Sequence, residues 1–312
     1  MELAIIVPCY NEQEVLTEAA KRLLAVLSRL LDAAKISPKS KAIFVDDGSK
    51  DQTWSIIEQL CVRDDRISGI KLSRNRGHQS ALLAGLFTAN GDALVTIDAD
   101  LQDDPEVIER MVDAFLGGVD VVYGVRSNRQ TDTLFKRVSA QAFYRLMQLL
   151  GAESLHNHGD FRLMSRRAVE SLKGFREVNL FLRGLVPLIG FRSEIVYYDR
   201  KERLAGETKY PLPKMIALAM TAITSFSVVP LRIITLLGFA VFLLSIAMMA
   251  WALGVRILTD SALPGWASTV LPVYFIGGVQ ILCIGVIGEY LGKIYAEVKG
   301  RPRYIIEKAI NL

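Results

Sequence analysis

Cysteine and histidine are scarce, with three of each among the 312 residues. Cys9, Cys61 and Cys283 are scattered and lack the spacing of metal ligands. His156 and His158 alternate along the chain with no third ligand nearby, a pattern more typical of a polar loop than of zinc binding. The sequence therefore indicates neither a disulfide framework nor a zinc site.

Several familiar signatures are also missing. The sequence contains neither G-x-x-x-x-G-K-[ST] nor G-x-G-x-x-G, which removes the two commonest phosphate-binding loops. The opening MELAIIVPCYNE has no basic region and becomes polar after nine residues, so it does not resemble a signal peptide. The net charge of +4 weakly favours contact with anionic lipid head groups and gives no reason to expect nucleic acid as a partner.

Charge is absent from two long stretches in the last third of the chain. Residues 233–255 are uncharged over about 23 residues and residues 261–288 over about 28, and each length is enough to cross a bilayer. The hydrophobic content of 51% and the mean hydropathy of +0.29 are high for a soluble enzyme. Two buried core helices are the alternative, but a soluble domain rarely hides two such lengths. We predict a two-helix transmembrane hairpin over residues 233–292, with spans at about 233–255 and 265–288.

Basic residues predict the orientation of this hairpin. The tail at 293–312 and the N-terminal part carry more Lys and Arg than the short loop with Arg256 and Asp260, so both ends and the domain at 1–210 are expected in the cytosol. Residues 211–232 predict a juxtamembrane amphipathic helix at the membrane surface. A third span is the alternative, which the Thr and Ser residues and Pro230 disfavour.

The first 210 residues show five short β-rich runs separated by segments of helical period. This alternation predicts a mostly parallel sheet with helices on both faces, in which ligands bind beyond the carboxyl ends of the strands. Three of the four strand ends that we compare carry carboxylates, which fits one site for a hydrated metal and a sugar nucleotide. The runs are LAIIV, KAIFV, ISGIKL, DALVTI and VDVVYG, and the compared strand ends are PCYNE, DDGSKDQT, DADLQDD and GVRSNR.

The segment TIDADLQDDPE concentrates acids where a buried strand ends. Asp98 and Asp100 are alternate residues of an extended segment, so their side chains project the same way and two oxygen ligands can share one Mg²⁺ or Mn²⁺. The sequence therefore predicts a divalent metal site at this pair.

Other paired acids have a local explanation. Asp103 and Asp104 precede Pro105, which predicts a helix start that needs no ligand. Asp46 and Asp47, taken alone, predict a turn followed by a helix.

Six segments in chain order resemble the polyisoprenyl-phosphate glycosyltransferases of glycosyltransferase family 2, which include bactoprenol glucosyltransferases and dolichyl-phosphate mannose synthases. The hairpin resembles the bacterial glucosyltransferase branch more closely. The segments are PCYNE at 8–12, DDGSKDQT at 46–53, LSRNRGHQSALLAGL at 72–86, DADLQDDPE at 98–106, GDFRLMSRR at 159–167 and RLAGETKY at 203–210.

The resemblance implies a fold, a reaction and partners. It implies a GT-A (Rossmann-like) domain that transfers one hexose with inversion and a divalent metal, from a nucleotide sugar to undecaprenyl phosphate at the cytosolic face of the bacterial inner membrane. We expect glucose from UDP-glucose, and GDP-mannose, a UDP-N-acetylhexosamine or UDP-aminoarabinose remain alternative donors. A homo-oligomer, specifically a homotetramer, is also implied.

Two other classes of protein are weaker alternatives. Processive polysaccharide synthases resemble one another in a Q-x-x-R-W element. This chain lacks that element, since no Trp directly follows an Arg. A lipid flippase or transporter needs a path for a polar sugar, and the two predicted spans carry no intramembrane charge.

The resemblance also assigns roles to residues. Asp160 lies near the acceptor, either as a catalytic base or as the anchor of Arg162 or another cation, because a polyprenyl phosphate is already anionic. One departure is Arg76, since relatives often read SRNFG where this chain reads SRNRG. The implied contacts are Pro8, Tyr10, Glu12, Asp47, Asn75 and Asp98 for the nucleotide sugar, Arg203 and Lys209 for its diphosphate, and Asp98, catalytic Asp100 and Gln102 for the metal.

An anionic acceptor also needs fixed cations. FKRVSAQAFYRL, after the fifth β-rich run, predicts a helix with basic residues at its start, and a solvated basic face is the ordinary interpretation. We favour phosphate binding by Arg126 and Arg137, with Arg162 as a third candidate, because bidentate guanidinium contacts suit phosphate.

Overall fold

The computed structural model of the chain describes residues 1–127, 158–175, 177, 182–199, 229–258 and 266–312. These residues fall into two compact units. The first contains the described residues up to 199 together with residues 301–312, and the second contains the described residues from 229 to 300. The predicted juxtamembrane helix lies outside the described residues over 211–228.

The first unit is built on a single sheet of eight strands. They are β1 (Leu3–Cys9), β2 (Lys41–Asp46), β3 (Ile67–Leu72), β4 (Ala93–Thr96), β5 (Val121–Arg126), β6 (His158–Ser165), β7 (Ser193–Tyr198) and β8 (Ile306–Ile310). Their order across the sheet is β7-β5-β6-β4-β1-β2-β3-β8. The five strands predicted from the β-rich runs are confirmed as β1 to β5.

The sheet is mixed rather than mostly parallel throughout. Strands β4, β1, β2 and β3 form a parallel block, and β5 pairs with β7 in parallel. Strand β6 runs antiparallel between β4 and β5, and β8 runs antiparallel to β3. The middle of β6 is buried without interruption from Gly159 to Ser165, so its sequence does not show the alternation that marks a half-buried strand.

Helices cover the sheet and fix the loops at its carboxyl edge. The described helices of this unit are α1 (Leu16–Asp32), α2 (Thr53–Arg63), α3 (His78–Thr88), α4 (Val107–Leu116), α5 (Arg166–Leu172) and α6 (Leu182–Leu188). Helix α3 packs closely on β1, since a Cβ at Gly85 would lie 2.2 Å from Ile6 Cγ2. This close approach holds the first turn of α3, with His78, at the end of the parallel block.

Residues 306–310, within the predicted basic tail, complete the sheet as β8. Gly69 faces Ile310 and Lys71 faces Lys308 in the β3–β8 register. The side chain of Asn311 donates to the carbonyls of Cys61 (2.8 Å) and Ile67 (3.3 Å). Just before β8, the carbonyl of Ile305 accepts a 2.9 Å hydrogen bond from Ser73 N, directly after β3. The end of the chain is therefore part of the first unit.

The second unit contains two long helices, α7 (Val229–Leu258) and α8 (Trp266–Val298). They overlap the two predicted spans. Within the described part of the chain, Phe275–Val298 is the one helical segment that meets the length and hydropathy criteria for a membrane span. The transmembrane hairpin itself stays a prediction.

Candidate active site

The loops that follow β1 and β2 are joined at the carboxyl edge of the sheet. Asn11 N donates to Ser49 Oγ (3.0 Å) and Glu12 N donates to Thr53 Oγ1 (2.9 Å). Asn11 has a φ of 53°, a left-handed conformation that Asn tolerates. The chain thus places Pro8, Tyr10 and Glu12 beside the DDGSKDQT segment.

Asp47 holds the loop that precedes α3. Its Oδ1 accepts from Arg76 N (2.7 Å) and its Oδ2 from Gly77 N (2.9 Å). Burial raises the pKa of Asp47, although these two hydrogen bonds oppose the rise. Both carboxylate oxygens therefore position the loop that carries Asn75, and the predicted contact of Asp47 with a nucleotide stays a prediction.

Gly48 lets that loop approach closely. It has a φ of +68°, and a Cβ at this position would lie 2.6 Å from both Arg74 C and Asn75 N. No side chain fits between these two backbone segments. The glycine that follows the acid pair is thus a steric requirement for placing Asn75.

The acids after β4 lie in unequal environments. More than a third of the Asp98 side chain is accessible, at 37%, yet its Oδ1 is enclosed and receives no hydrogen bond from the described residues. Burial is the main cause that raises the pKa of Asp98 to about 6, with Asp160, Asp103 and Asp100 adding to it and His78 opposing it. Asp100 Oδ1 accepts from Gln102 N (3.2 Å), across a turn in which Leu101 has a φ of 56°.

The donor set after β4 fits a divalent metal. No group of three His, Cys, Asp or Glu side chains within the described ranges forms a ready cage. Mg²⁺ commonly binds through one or two carboxylates and completes its shell with water and substrate phosphates. The Oδ1 of Asp98, which accepts no hydrogen bond from the described residues, suits that mode of binding together with Asp100 and the amide of Gln102.

Asp103, which the sequence predicts together with Asp104 as part of a helix start, is instead a buried anchor. It is 1% exposed, and its Oδ1 accepts from Tyr198 Oη (2.6 Å) and Arg126 Nη2 (3.0 Å). Helix α4 begins later, at Val107. The contacts that bury Asp103 come from β5 and β7, which a local pattern of acids before Pro cannot reveal. Arg126 remains 29% exposed beside it.

Asp160 on β6 is held by four side chains. Its Oδ1 accepts from Arg162 Nη2 (2.6 Å), and its Oδ2 accepts from Arg183 Nη2 (3.2 Å) and Gln79 Nε2 (3.3 Å) and lies 3.5 Å from His78 Nε2. Burial acts to raise the pKa of Asp160, but His78 and the two guanidinium groups outweigh it, so the pKa lies well below its usual range. A carboxylate so strongly held as an anion is a weak proton acceptor.

His78 joins the two acidic centres. Its Nε2 lies 3.5 Å from Asp98 Oδ1 and 3.5 Å from Asp160 Oδ2. Burial acts to lower the pKa of His78, and the neighbouring Asp160 and Asp98 reverse this and raise it. The imidazole therefore links the candidate metal ligands to the Asp160 cluster.

Arg162 is enclosed at 1% exposure. Its Nη1 donates to the carbonyl of Leu182 (3.1 Å) while its Nη2 holds Asp160. In this arrangement its guanidinium ties β6 to the start of α6.

Some site residues lie beyond sequence reasoning or beyond the described residues. His78 and Gln79 fall inside the LSRNRGHQSALLAGL segment, so a motif was their only signal, and Arg183 has no local signal. Arg137, Arg203 and Lys209 lie outside the described residues.

Comparison with known proteins identifies the family. Residues 4–173 match the family described as glycosyl transferase family 2. The chain is 50% identical to the glycosyltransferase YkoT of Bacillus subtilis (strain 168), over 98% of this chain and 91% of the relative. It is 40% identical to the SfII prophage-derived bactoprenol glucosyl transferase of Shigella flexneri, over 99% and 98% of the two chains. It is 41% identical to the prophage bactoprenol glucosyl transferase homolog of Escherichia coli (strain K12), over 99% of each chain. The chain therefore belongs to glycosyltransferase family 2, and its mixed sheet is a GT-A-like glycosyltransferase domain.

Proposed function

We propose that this enzyme transfers one glucose from UDP-glucose to a polyprenyl phosphate, undecaprenyl phosphate, with inversion at the anomeric carbon. The observation that carries the proposal is the junction at His78, which brings the acid pair suited to a metal next to an acid surrounded by fixed cations. Two relatives that match nearly the whole chain are named bactoprenol glucosyl transferases, which supports glucose as the sugar and a polyprenyl acceptor.

The charges of the site suit such a reaction. A divalent ion, Mg²⁺ or Mn²⁺, held by Asp98, Asp100 and Gln102 would neutralise the charge that develops on the leaving nucleoside diphosphate. An oxygen of the lipid phosphate forms the new bond to the anomeric carbon from the face opposite the leaving group, and the bond to the diphosphate oxygen breaks. The attacking oxygen carries no proton that must be removed.

The state of Asp160 agrees with this scheme. Its depressed pKa and four partners make it an anchor for cations rather than a base. We therefore favour the second of the two roles left open by the sequence.

The donor side is formed by the loops after β1, β2 and β3. We propose that Pro8, Tyr10 and Glu12 line the nucleotide together with Asp47 and Asn75, since hydrogen bonds and the close approach at Gly48 hold these loops together. We further propose that Arg203 and Lys209 contact the diphosphate of the nucleotide sugar.

The sheet supports a membrane hairpin through a parity argument. Strands β7 and β8 belong to one sheet, so residues 198 and 306 lie on the same side of any membrane. An even number of crossings must separate them. With Phe275–Val298 as one span, the uncharged residues 233–255 of α7 supply the second, and 211–232 is left at the surface. We propose that the domain and both ends face the cytosol at the bacterial inner membrane, with a homotetramer as the assembly.

Transfer to lipid tests the proposed function. The purified full chain is incubated with labelled UDP-glucose, undecaprenyl phosphate and Mg²⁺, and label is expected in the organic extract as one sugar per lipid. Undecaprenol, which lacks the phosphate, is the matched acceptor control. A parallel panel of GDP-mannose, UDP-N-acetylglucosamine and UDP-aminoarabinose tests the donor. Label that stays in water with every donor would refute lipid transfer, and chains of several sugars would favour a processive synthase.

A further inference from the structure

We propose that Arg183 binds the phosphate of the lipid acceptor and is the accessible cation of the Asp160 cluster. The inference rests on the proposed function, because it assigns a residue to the acceptor of that reaction. Three observations support it: the hydrogen bonds that fix the start of α6, the solvent exposure of the arginine side chains, and the concentration of acidic side chains in the site.

The residue before Arg183 is fixed through both of its peptide groups. Leu182 N donates to Gln79 Oε1 (3.0 Å), and Leu182 O accepts from Arg162 Nη1 (3.1 Å). Gln79 and Arg162 also hold the two oxygens of Asp160. Asp160, Arg162, Leu182 and Gln79 thus form a closed ring of hydrogen bonds that presets the backbone on which Arg183 stands.

The side chain of Arg183 is more exposed to solvent than those of the other described arginines of this region. Arg162 is enclosed by the ring, and Arg126 is 29% exposed and engaged by Asp103 and Tyr198. The Arg183 side chain is 43% exposed and makes one hydrogen bond to the other described residues, from Nη2 to Asp160 Oδ2. Its remaining N–H groups have no acceptor among the described residues, which leaves a planar donor edge for a ligand.

The chemistry of that ligand follows from the surrounding charges. Asp98, Asp100 and Asp160 would repel a phosphate that approaches the reacting carbon, so a fixed cation is needed there. A guanidinium matches a phosphate with two parallel hydrogen bonds, and its charge does not depend on pH in the working range. Arg183 is held through Asp160 of β6 and Gln79 of α3 rather than through the loops after β1 and β2 that we propose for the donor, and we therefore assign it to the acceptor.

The test compares Arg183→Gln and Arg183→Lys in the full chain, with separate titrations of undecaprenyl phosphate and UDP-glucose. Loss of a charge-assisted hydrogen bond predicts a rise of about ten- to a hundredfold in the KM for undecaprenyl phosphate in Arg183→Gln, and a smaller rise in Arg183→Lys. The KM for UDP-glucose is expected to stay within about twofold of the wild type, because charge-assisted contacts act locally.

Controls separate binding from folding. Arg22→Gln removes a partly exposed guanidinium from an i,i+4 pair with Glu18 on α1 and is expected to change neither KM. Unchanged UDP binding by calorimetry shows that Arg183→Gln keeps the donor site folded. A raised KM for UDP-glucose, or an unchanged KM for undecaprenyl phosphate, overturns the inference while leaving the proposed function standing.

Direct binding keeps the two proposals distinguishable. Farnesyl phosphate, a short soluble analogue, is titrated by calorimetry into wild type and Arg183→Gln in the presence of UDP and Mg²⁺. Weaker binding of farnesyl phosphate to the variant supports Arg183 as a phosphate contact. This holds even if the wild type glycosylates no lipid, because the lack of glycosylation would refute only the proposed function. Equal binding to both chains refutes the assignment of Arg183.

Discussion

At the scale of single residues, neighbouring acids of the TIDADLQDDPE segment occupy different environments. Asp98 has an enclosed oxygen that accepts no hydrogen bond from the described residues, and its pKa is raised to about 6, so its charged form is less favourable than that of an ordinary exposed carboxylate. Asp103 has strong partners in Tyr198 and Arg126. A bound divalent cation would stabilise the first environment, whereas Tyr198 and Arg126 already satisfy the second.

We expect the metal to stabilise the fold through Asp98 and Asp100. Added Mg²⁺ or Mn²⁺ should raise the melting temperature by mass action on the folded state, and this rise should vanish in Asp98→Asn and Asp100→Asn together with nearly all turnover. A thermal-shift series with increasing metal, followed by activity in excess EDTA, measures both effects.

Asp104→Asn is the matched control for these variants. Asp104 is a neighbouring acid whose Oδ1 accepts from Glu106 N (3.3 Å) within the turn before α4. The variant should keep the metal response and lose at most about 1 kcal/mol of stability, since Asn also caps turns well. A metal response that disappears in Asp104→Asn and persists in Asp100→Asn would mean that the other pair binds the metal.

Gly48 tests the positioning of the Asn75 loop. Ala at this site has the wrong φ preference and a Cβ 2.6 Å from the backbone of Arg74 and Asn75. Gly118→Ala is the control, because Gly118 also has a positive φ (+90°) and no atom lies within 4 Å of the position that its Cβ would take. We expect Gly118→Ala to cost about 1 kcal/mol of stability, and Gly48→Ala to cost about 1–3 kcal/mol more and to raise the KM for UDP-glucose. Equal effects of the two variants on stability and on KM would contradict a steric role for Gly48.

At the scale of helices and strands, prediction from sequence succeeds where local pattern decides. Strands β1 to β5 are apolar runs bounded by turn residues, and the loops after them are where ligands bind in parallel sheets. Strand β6 carries buried Asp160 and Arg162, β7 is an edge strand with exposed Tyr197, and β8 (IEKAI) is short and charged, so none of them has a clear β pattern.

The same reasoning explains which site residues the sequence reveals. Asp98 and Asp100 stand side by side in one motif, whereas Gln79 and Asp160 meet across 81 residues and Tyr198 and Asp103 across 95. Contacts of that range depend on the order of strands in the sheet. Antiparallel β6 between β4 and β5 brings Asp160 to the acid pair, and no local pattern specifies this order.

Asn311 tests how strongly β8 is attached to the sheet. Its amide donates to two carbonyls, and its φ of 55° lies in the left-handed region. Asn311→Gly should lose about 1–2 kcal/mol of stability with the hydrogen bonds, and Asn311→Ala about 1 kcal/mol more, since Ala disfavours that φ. Thermal unfolding of the full chain in detergent measures both losses. Two variants as stable as the wild type would show that these hydrogen bonds do not fasten the strand.

At the scale of the whole molecule, the shared sheet of β7 and β8 makes the topology testable. In a Cys283→Ser background, we expect Ser261→Cys to react with a membrane-impermeant maleimide applied to the outside of intact cells. Leu312→Cys is exposed in the first unit and should react only after the cells are opened. The two remaining cysteines, Cys9 and Cys61, are buried and give a low background. Labelling of Leu312→Cys from outside would contradict the cytosolic placement of the first unit.

The return of residues 305–310 to the edge of β3 also sets an order of events during synthesis. Translation at roughly 5–20 residues per second leaves that edge without its partner for roughly ten to fifty seconds after β3 emerges. During this interval both long helices are made, and Ser73 has no Ile305 carbonyl to hold it. The loop that carries Asn75 therefore gains this tether only after the segments proposed to cross the membrane exist, so a ribosome-bound fragment without them lacks one of the hydrogen bonds that hold the loop proposed to contact the nucleotide.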